Sequence, residues 1–299
     1  MSTLIYHRVL PDTDPIFPNE VTVERFDLQL SLLKQVFNII PLPEAIELLK
    51  VGKLPARAAS ITFDDGYADN ATEALPILTK HGLHATFFIA TAYLNGGRMF
   101  NDTVIEAIRR CPYQNLDLGS IGLDSYEVAT NQAKRQAIET ILPKVKYLPI
   151  EKREKKVAEL AKLATHENLP DNLMMTTAQL RMLHNSGMEI GGHTHSHPIL
   201  AGLDENSVHN EITTGRDWLE QTLANKIRVF AYPNGKPGVD YLPEQANILR
   251  QLGFIGAVST QRGSATHTSD AFQLPRFTPW QTKATRFIPM LLNNLRHSG

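Results

Sequence analysis

Short apolar runs recur along the chain, each ending in a polar or reactive residue: Leu4 to Tyr6 before His7, Ala59 to Phe63 before Asp64, and Ala85 to Ala90 before Thr91. Further runs follow at Met188 to Ile190, Val229 to Tyr232, Phe254 to Val258 and Gln273 to Leu274. Between several of them, apolar positions return every three and four residues over Val23 to Val36, Pro43 to Lys50 and Asn70 to His81, the period of a helix with one buried face. Strand then helix, repeated, predicts an α/β fold with a parallel sheet. In parallel α/β barrels the loops after the strands converge, so reactive side chains just past apolar runs are what that geometry predicts. Asn101 to Met182 depart from the alternation: Thr130 to Tyr147 and Glu151 to His166 read as charged helices. The expectation is one domain over residues 1–299 carrying a helical insertion at about 101–182.

At 299 residues the chain can bury a large core. A formal charge of -1, from 30 basic and 31 acidic residues, gives no overall pull toward nucleic acid or anionic lipid, and favours a neutral substrate. The single cysteine, Cys111, forms no internal disulfide. The start, Met1 to Arg8, lacks a cationic stretch followed by a long apolar core, and no run approaches the roughly 20 apolar residues that span a bilayer. These features lead us to expect a cytoplasmic protein without a transmembrane segment.

Two segments carry candidate chemistry. Ile61-Thr62-Phe63-Asp64-Asp65-Gly66 puts adjacent acids where a strand should stop, and Gly191-Gly192-His193-Thr194-His195-Ser196-His197-Pro198 places three imidazoles behind another apolar run. An Asp-Asp-Gly alone also suits a turn or a helix cap. Carboxylate oxygen together with imidazole nitrogen suits a divalent ion such as zinc with one open position, and beside such an ion one acid can ligate while its neighbour takes a proton. His193 and His197, four apart, can converge on one ion, leaving His195 turned away. These residues read as a metal-dependent hydrolase, with zinc the first choice and cobalt, nickel or manganese able to replace it.

The motifs Thr62-Phe63-Asp64-Asp65-Gly66 and His193-Thr194-x-x-His197-Pro198 resemble the first two motifs of the polysaccharide deacetylases, the NodB-homology or carbohydrate esterase family 4 group. Ala85 to Ile89 and Phe230-Ala231-Tyr232-Pro233 extend the likeness over most of the chain outside the insertion. The resemblance implies a distorted (β/α) barrel and hydrolysis of acetyl groups on sugars. It implies Asp64 as general base, Asp65, His193 and His197 as metal ligands, and the backbone N–H of Asn234, after Pro233, as an oxyanion donor. An acetylated glycan, with N-acetylhexosamine units first, is the implied substrate, and polysaccharide-biosynthesis machinery an implied partner.

The chain departs from the family pattern twice. Ala231 stands where better-known members carry the arginine that orients the base, so Arg276 in Leu274-Pro275-Arg276-Phe277 is the first replacement and Arg228 the second. The family often draws its general acid from a late Leu-x-His motif; the matching region here offers Arg276 instead, and no late histidine fits well. Leu4-Ile5-Tyr6-His7-Arg8-Val9 is similar to the N-terminal Tyr-His pair of members related to biofilm-polysaccharide deacetylases, which makes His7 the candidate proton donor. Tyr232 and Trp280 are candidates for stacking on a sugar ring, against a packed-core reading. Asn101-Asp102 are expected to cap a helix beginning near Thr103. The rivals to deacetylation are hydrolysis of a cyclic amide or ureide on the same scaffold and a non-catalytic glycan-binding module.

Overall fold

The computed structural model describes residues 1–279 and 284–296. Its nine strands are β1 (Ser2–Tyr6), β2 (Asn38–Ile39), β3 (Ala58–Phe63), β4 (Thr86–Ile89), β5 (Asn115–Asp117), β6 (Ser125–Glu127), β7 (Glu189–Gly192), β8 (Val229–Ala231) and β9 (Gly256–Val258) among the described residues. Seven of them form one sheet in the order β1-β3-β4-β7-β8-β9, with β2 paired to the start of β3. Every pair in this sheet is parallel. The fold is the α/β, curled parallel sheet of a distorted (β/α) barrel.

Residues 271–277 join the two edge strands. Leu274 bridges to Val258 and Phe277 to Leu4, both in parallel. Ser259 N donates to Leu274 O at 2.9 Å and Phe277 N to Thr3 O at 2.7 Å, so edge groups that would otherwise lack partners are satisfied. The strand expected at Gln273–Leu274 is thus an isolated bridge: Pro275, which has no N–H to donate, interrupts any longer ladder.

Register assigns the faces. Tyr6 pairs with Phe63, and Phe63 with Phe87, so their rings lie on one face, stacked at 5.3 and 4.8 Å between centroids. This face is buried with Phe26, Leu30 and Leu33 of the helix Val23–Val36 and Leu75 and Leu78 of Leu75–His81, and each large side chain so buried contributes ~1.5–3 kcal/mol. The opposite face carries Thr3, Ser60, Thr62, Thr86 and Phe88, with Val229, Ala231 and Val258 beyond. Phe88 fills this interior: a Cβ on Gly191, its register partner, would lie 2.4 Å from Phe88 Cδ1, so only glycine fits there. The helix Leu42–Lys50 buries Leu42, Ala45, Ile46 and Leu49 in the same cluster.

The periodic segment Asn70 to His81 is helical but not uniform: Asn70–Ala74 is a π-helix that continues as the α-helix Leu75–His81. Such wide turns concentrate near functional sites.

A second compact unit comprises Thr13–Asn19 and Asn95–Met174; the first comprises the rest. The expected insertion is therefore shifted, because the helix Thr177–Asn185 belongs to the first unit. The second unit is not wholly helical: its helices Phe100–Arg109, Asn131–Lys146 and Ile150–Ala164 accompany the antiparallel pair β5-β6 around a core that includes Ile16, Ile108, Ile138 and Leu160. Arg109 holds Asp14 through both nitrogens, at 3.1 and 2.6 Å, which fixes the 13–19 segment. Asn101 and Asp102 sit inside the first turn of Phe100–Arg109, whose N-cap is Met99, so the expected capping role falls away.

Candidate active site

Asp64 extends the β3 alternation by one residue: its N–H donates to Tyr6 O at 3.0 Å, and its side chain follows Thr62 into the interior. A further extended residue would point to the opposite face. Asp65 instead adopts φ 77, which turns its carboxylate back toward the strand ends. Gly66 follows at φ 93, a conformation open to glycine, and its N–H donates to Asp64 O at 3.0 Å.

Arg276 is 1% exposed and grips Asp64 through two parallel bonds, Nη1 to Oδ1 and Nη2 to Oδ2, both 2.7 Å. Its remaining donors reach Thr62 Oγ1 at 3.2 Å and Ser259 O at 2.8 Å. The guanidinium fork matches a carboxylate in shape, fixing the plane of Asp64 as well as its charge. Burial pushes the Asp64 carboxyl up, but Arg276 and His193 outweigh it and hold the group below the usual carboxylate range. Arg228, the second candidate, forms an outer ion pair with Glu189 at 3.1 Å and lies 49% exposed.

His193 follows β7 and His197 lies four residues on, in a loop rather than a helix. Both Nε2 atoms stand 3.3 Å from Asp65 Oδ1. The three ligand atoms lie within 4.8 Å of one another. Bonds of about 2.0–2.1 Å in a tetrahedron imply ligand-to-ligand edges of about 3.3–3.4 Å, so both distances suit zinc. His193 Nδ1 lies 2.7 Å from Ala231 O, a carbonyl that can only accept, so in the neutral ring Nδ1 carries the proton and Nε2 keeps the lone pair a metal would take. Burial pushes His197 down to about 4, leaving a neutral ring. Burial would also lower His193, but Asp65 and Asp64 outweigh it and raise it above the usual histidine value. Asp65 is pushed up by burial and lowered further still by the two histidines. The donor set thus fits a divalent ion.

The loop between the histidines is strained and tied. Thr194 and His197 adopt φ 64 and 54, costing ~1–2 kcal/mol each for a non-glycine residue. His197 N donates to Thr194 Oγ1 at 3.0 Å, Ala92 N to His195 O at 2.9 Å, and Tyr93 OH to Ser196 O at 2.8 Å. Glu211 accepts from His195 N at 3.1 Å and Ser196 N at 2.8 Å through one oxygen, and from Ser196 Oγ at 2.7 Å through the other. His195 itself pairs with Thr91 Oγ1 at 2.9 Å.

His7 lies exposed after β1, close to Asp64 and Asp65. Its main chain is anchored: Asn70 Nδ2 donates to His7 O at 2.9 Å, while Asp69 accepts from Arg8 Nε at 2.7 Å and Val9 N at 3.2 Å. Asn234 follows β8 at φ 59, and its carbonyl accepts from Thr260 Oγ1 at 2.7 Å.

Tyr232 does not face the site. It is fully buried on the helix-covered side, stacks on Tyr241 at 3.7 Å, and its hydroxyl donates to Phe272 O at 2.9 Å. It is a core aromatic, because it is one residue out of phase with Ala231, which faces the interior. Trp280 lies outside the described residues. Sequence reasoning missed Glu211 and Asp69. Glu211 sits in an ordinary amphipathic helix and gives no signal, whereas Asp69, four residues past Asp65, was near enough to be suspected.

A family model described as polysaccharide deacetylase matches residues 51–148 and 153–256. YxkH of Bacillus subtilis (strain 168), which that family's name also describes, is 47% identical over 47 residues, covering 15% of this chain and 17% of that protein. The chain thus matches under a fifth of that relative's length. Among solved structures, the Streptococcus pyogenes deacetylase PplD in complex with acetate is similar at TM-score 0.64 and 18% identity, over 97% of each chain. IcaB from Ammonifex degensii is similar at 0.62 and 20%, over 97% of this chain and 95% of that one. A de-N-acetylase from Aggregatibacter actinomycetemcomitans gives 0.63 and 16%, over 97% and 98%. At these identities the likeness is one of fold.

Proposed function

The chain belongs to the polysaccharide deacetylase family, and on that premise we propose that it is a zinc-dependent hydrolase removing acetyl groups from an N-acetylhexosamine-containing glycan. The observation that carries this reading is the pairing of a carboxylate gripped by Arg276 with its neighbour, Asp65, set 3.3 Å from two imidazoles. Asp65, His193 and His197 would hold the ion. When bound, it would polarise the acetyl carbonyl and make water acidic enough to deprotonate near neutral pH.

Asp64 takes the proton from the attacking water, and Arg276 keeps that carboxylate ionised and in plane. The N–H of Asn234 donates to the carbonyl oxygen as negative charge gathers there. A C–O bond forms at the acetyl carbon, the C–N bond breaks, and His7 delivers a proton to the departing amine. Acetate and an amino sugar leave. No helix among the described residues is long and apolar enough to cross a membrane; we place the reaction in the cytoplasm, beside polysaccharide-biosynthesis machinery.

The test is acetate release from a panel of acetylated glycans by chelator-stripped and zinc-restored protein. Activity that vanishes on stripping and returns with zinc is expected. Activity indifferent to the chelator, or confined to cyclic amides, would replace this reading with that of a metal-free amidase.

A further inference from the structure

Resting on the metal-binding reading above, we infer that Glu211 is a positioning residue that sets the His193–His197 loop for its ion. The loop leaves β7 at Gly192 and contains no regular element before the 3-10 turn Leu200–Gly202. Its shape therefore depends on bonds from outside, and two of its non-glycine residues occupy the left-handed region. One carboxylate supplies three of those bonds, to His195 N, Ser196 N and Ser196 Oγ, all between the two ligands. An ionised carboxylate only accepts, so it can satisfy two N–H groups and a hydroxyl at once.

The helix Glu205–Leu223 reaches the loop because of a second residue, one turn on from Glu211. A Cβ on Gly215 would lie 2.7 Å from Thr194 O and 2.8 Å from its carbonyl carbon. Glu211 and Gly215 thus form a docking face: the glycine admits the backbone and the carboxylate ties it. Glu211 touches neither the ligand atoms nor the reacting groups, and it acts through the loop. Losing partners of this kind typically weakens metal binding ~10–100-fold.

The experiment measures zinc affinity of the full chain by competition with a chromophoric chelator, for wild type, Glu211→Ala, Glu211→Gln and His193→Ala, with amide hydrogen exchange at residues 194–197 in metal-free protein. Glu211→Ala is expected to weaken zinc about 10–100-fold and speed exchange in the loop. Glu211→Gln keeps an oxygen for the two N–H groups and a polar partner for Ser196, so it should recover most of the affinity. Wild-type affinity in folded Glu211→Ala overturns the inference, as does Glu211→Gln binding as weakly as alanine. If Glu211→Ala does not fold, Glu211→Asp, whose reach is one methylene shorter, carries the same expectation. His193→Ala separates the two claims: if it binds zinc like wild type, the metal reading itself fails. If it does not while Glu211→Ala does, only the role of Glu211 is lost.

Discussion

Replacing Arg276 with Met keeps the bulk of the side chain but removes every donor to Asp64. The native carboxylate is 3% exposed and receives two 2.7 Å bonds from the guanidinium, so the variant leaves a buried charge with no hydrogen-bond donor among the described residues. Breaking a buried pair from one side costs ~3–5 kcal/mol. The cost depends on pH, and its sign follows from Asp64. In the native chain its pKa lies below the usual carboxylate value, so it contributes stability above that value which is lost as pH falls through the lowered one. In the variant, burial prevails and the folded pKa rises above the unfolded one, so stability is lost as pH climbs. The gap between the two proteins should therefore be widest at neutral pH and close toward pH ~3. Urea unfolding of metal-free protein across this range measures it. Asp64→Asn combined with Arg276→Met should recover part of the loss, since no buried charge then remains. A gap that is the same at both ends of the range, or below ~1 kcal/mol at pH 7, would refute the buried-pair reasoning.

Other outcomes follow from the same geometry. Asp64→Asn should keep its zinc, measured by elemental analysis, and lose ~10²–10⁴-fold in turnover; His193→Ala and His197→Ala should instead lower the zinc content. His7→Ala should flatten the basic limb of the kcat–pH profile without changing zinc stoichiometry, because a proton donor is lost and no ligand is. Gly191→Ala should destabilise by ~1–3 kcal/mol in thermal melts, as its Cβ would meet Phe88 at 2.4 Å, and Phe88→Leu should restore part of that loss.

The sheet was legible because its strands are largely apolar runs, as strands covered on both faces tend to be, and the runs before Asp64 and His193 each end beside a residue that enters the site. Asp64, Asp65, His193 and His197 were legible for the same reason, and the structure brings them together. Arg276 was harder. Its partner lies 212 residues away, and only the missing arginine at Ala231 pointed to a substitute. Tyr232 was misread because period-two alternation sets its face, and the sequence does not mark where the strand's last in-phase residue falls. Glu211 was invisible: a solvated helix position and a loop anchor use the same residue type at the same spacing. The insertion's limits were blurred because charged helices look alike on either side of Met175.

The bridge from β9 through residues 271–277 to β1 also governs how the protein must be made. Thr3 bonds Phe277, so the opening strand waits for a partner roughly 270 residues later; at 5–20 residues per second a ribosome needs ~14–54 s to supply it. Until then β1 has an unfilled margin, and Asp64 lacks its guanidinium. The seam closes only once residues 271–277 have emerged, so for that interval the segments holding Asp64, Asp65, His193 and His197 exist without the arginine that fixes the first of them.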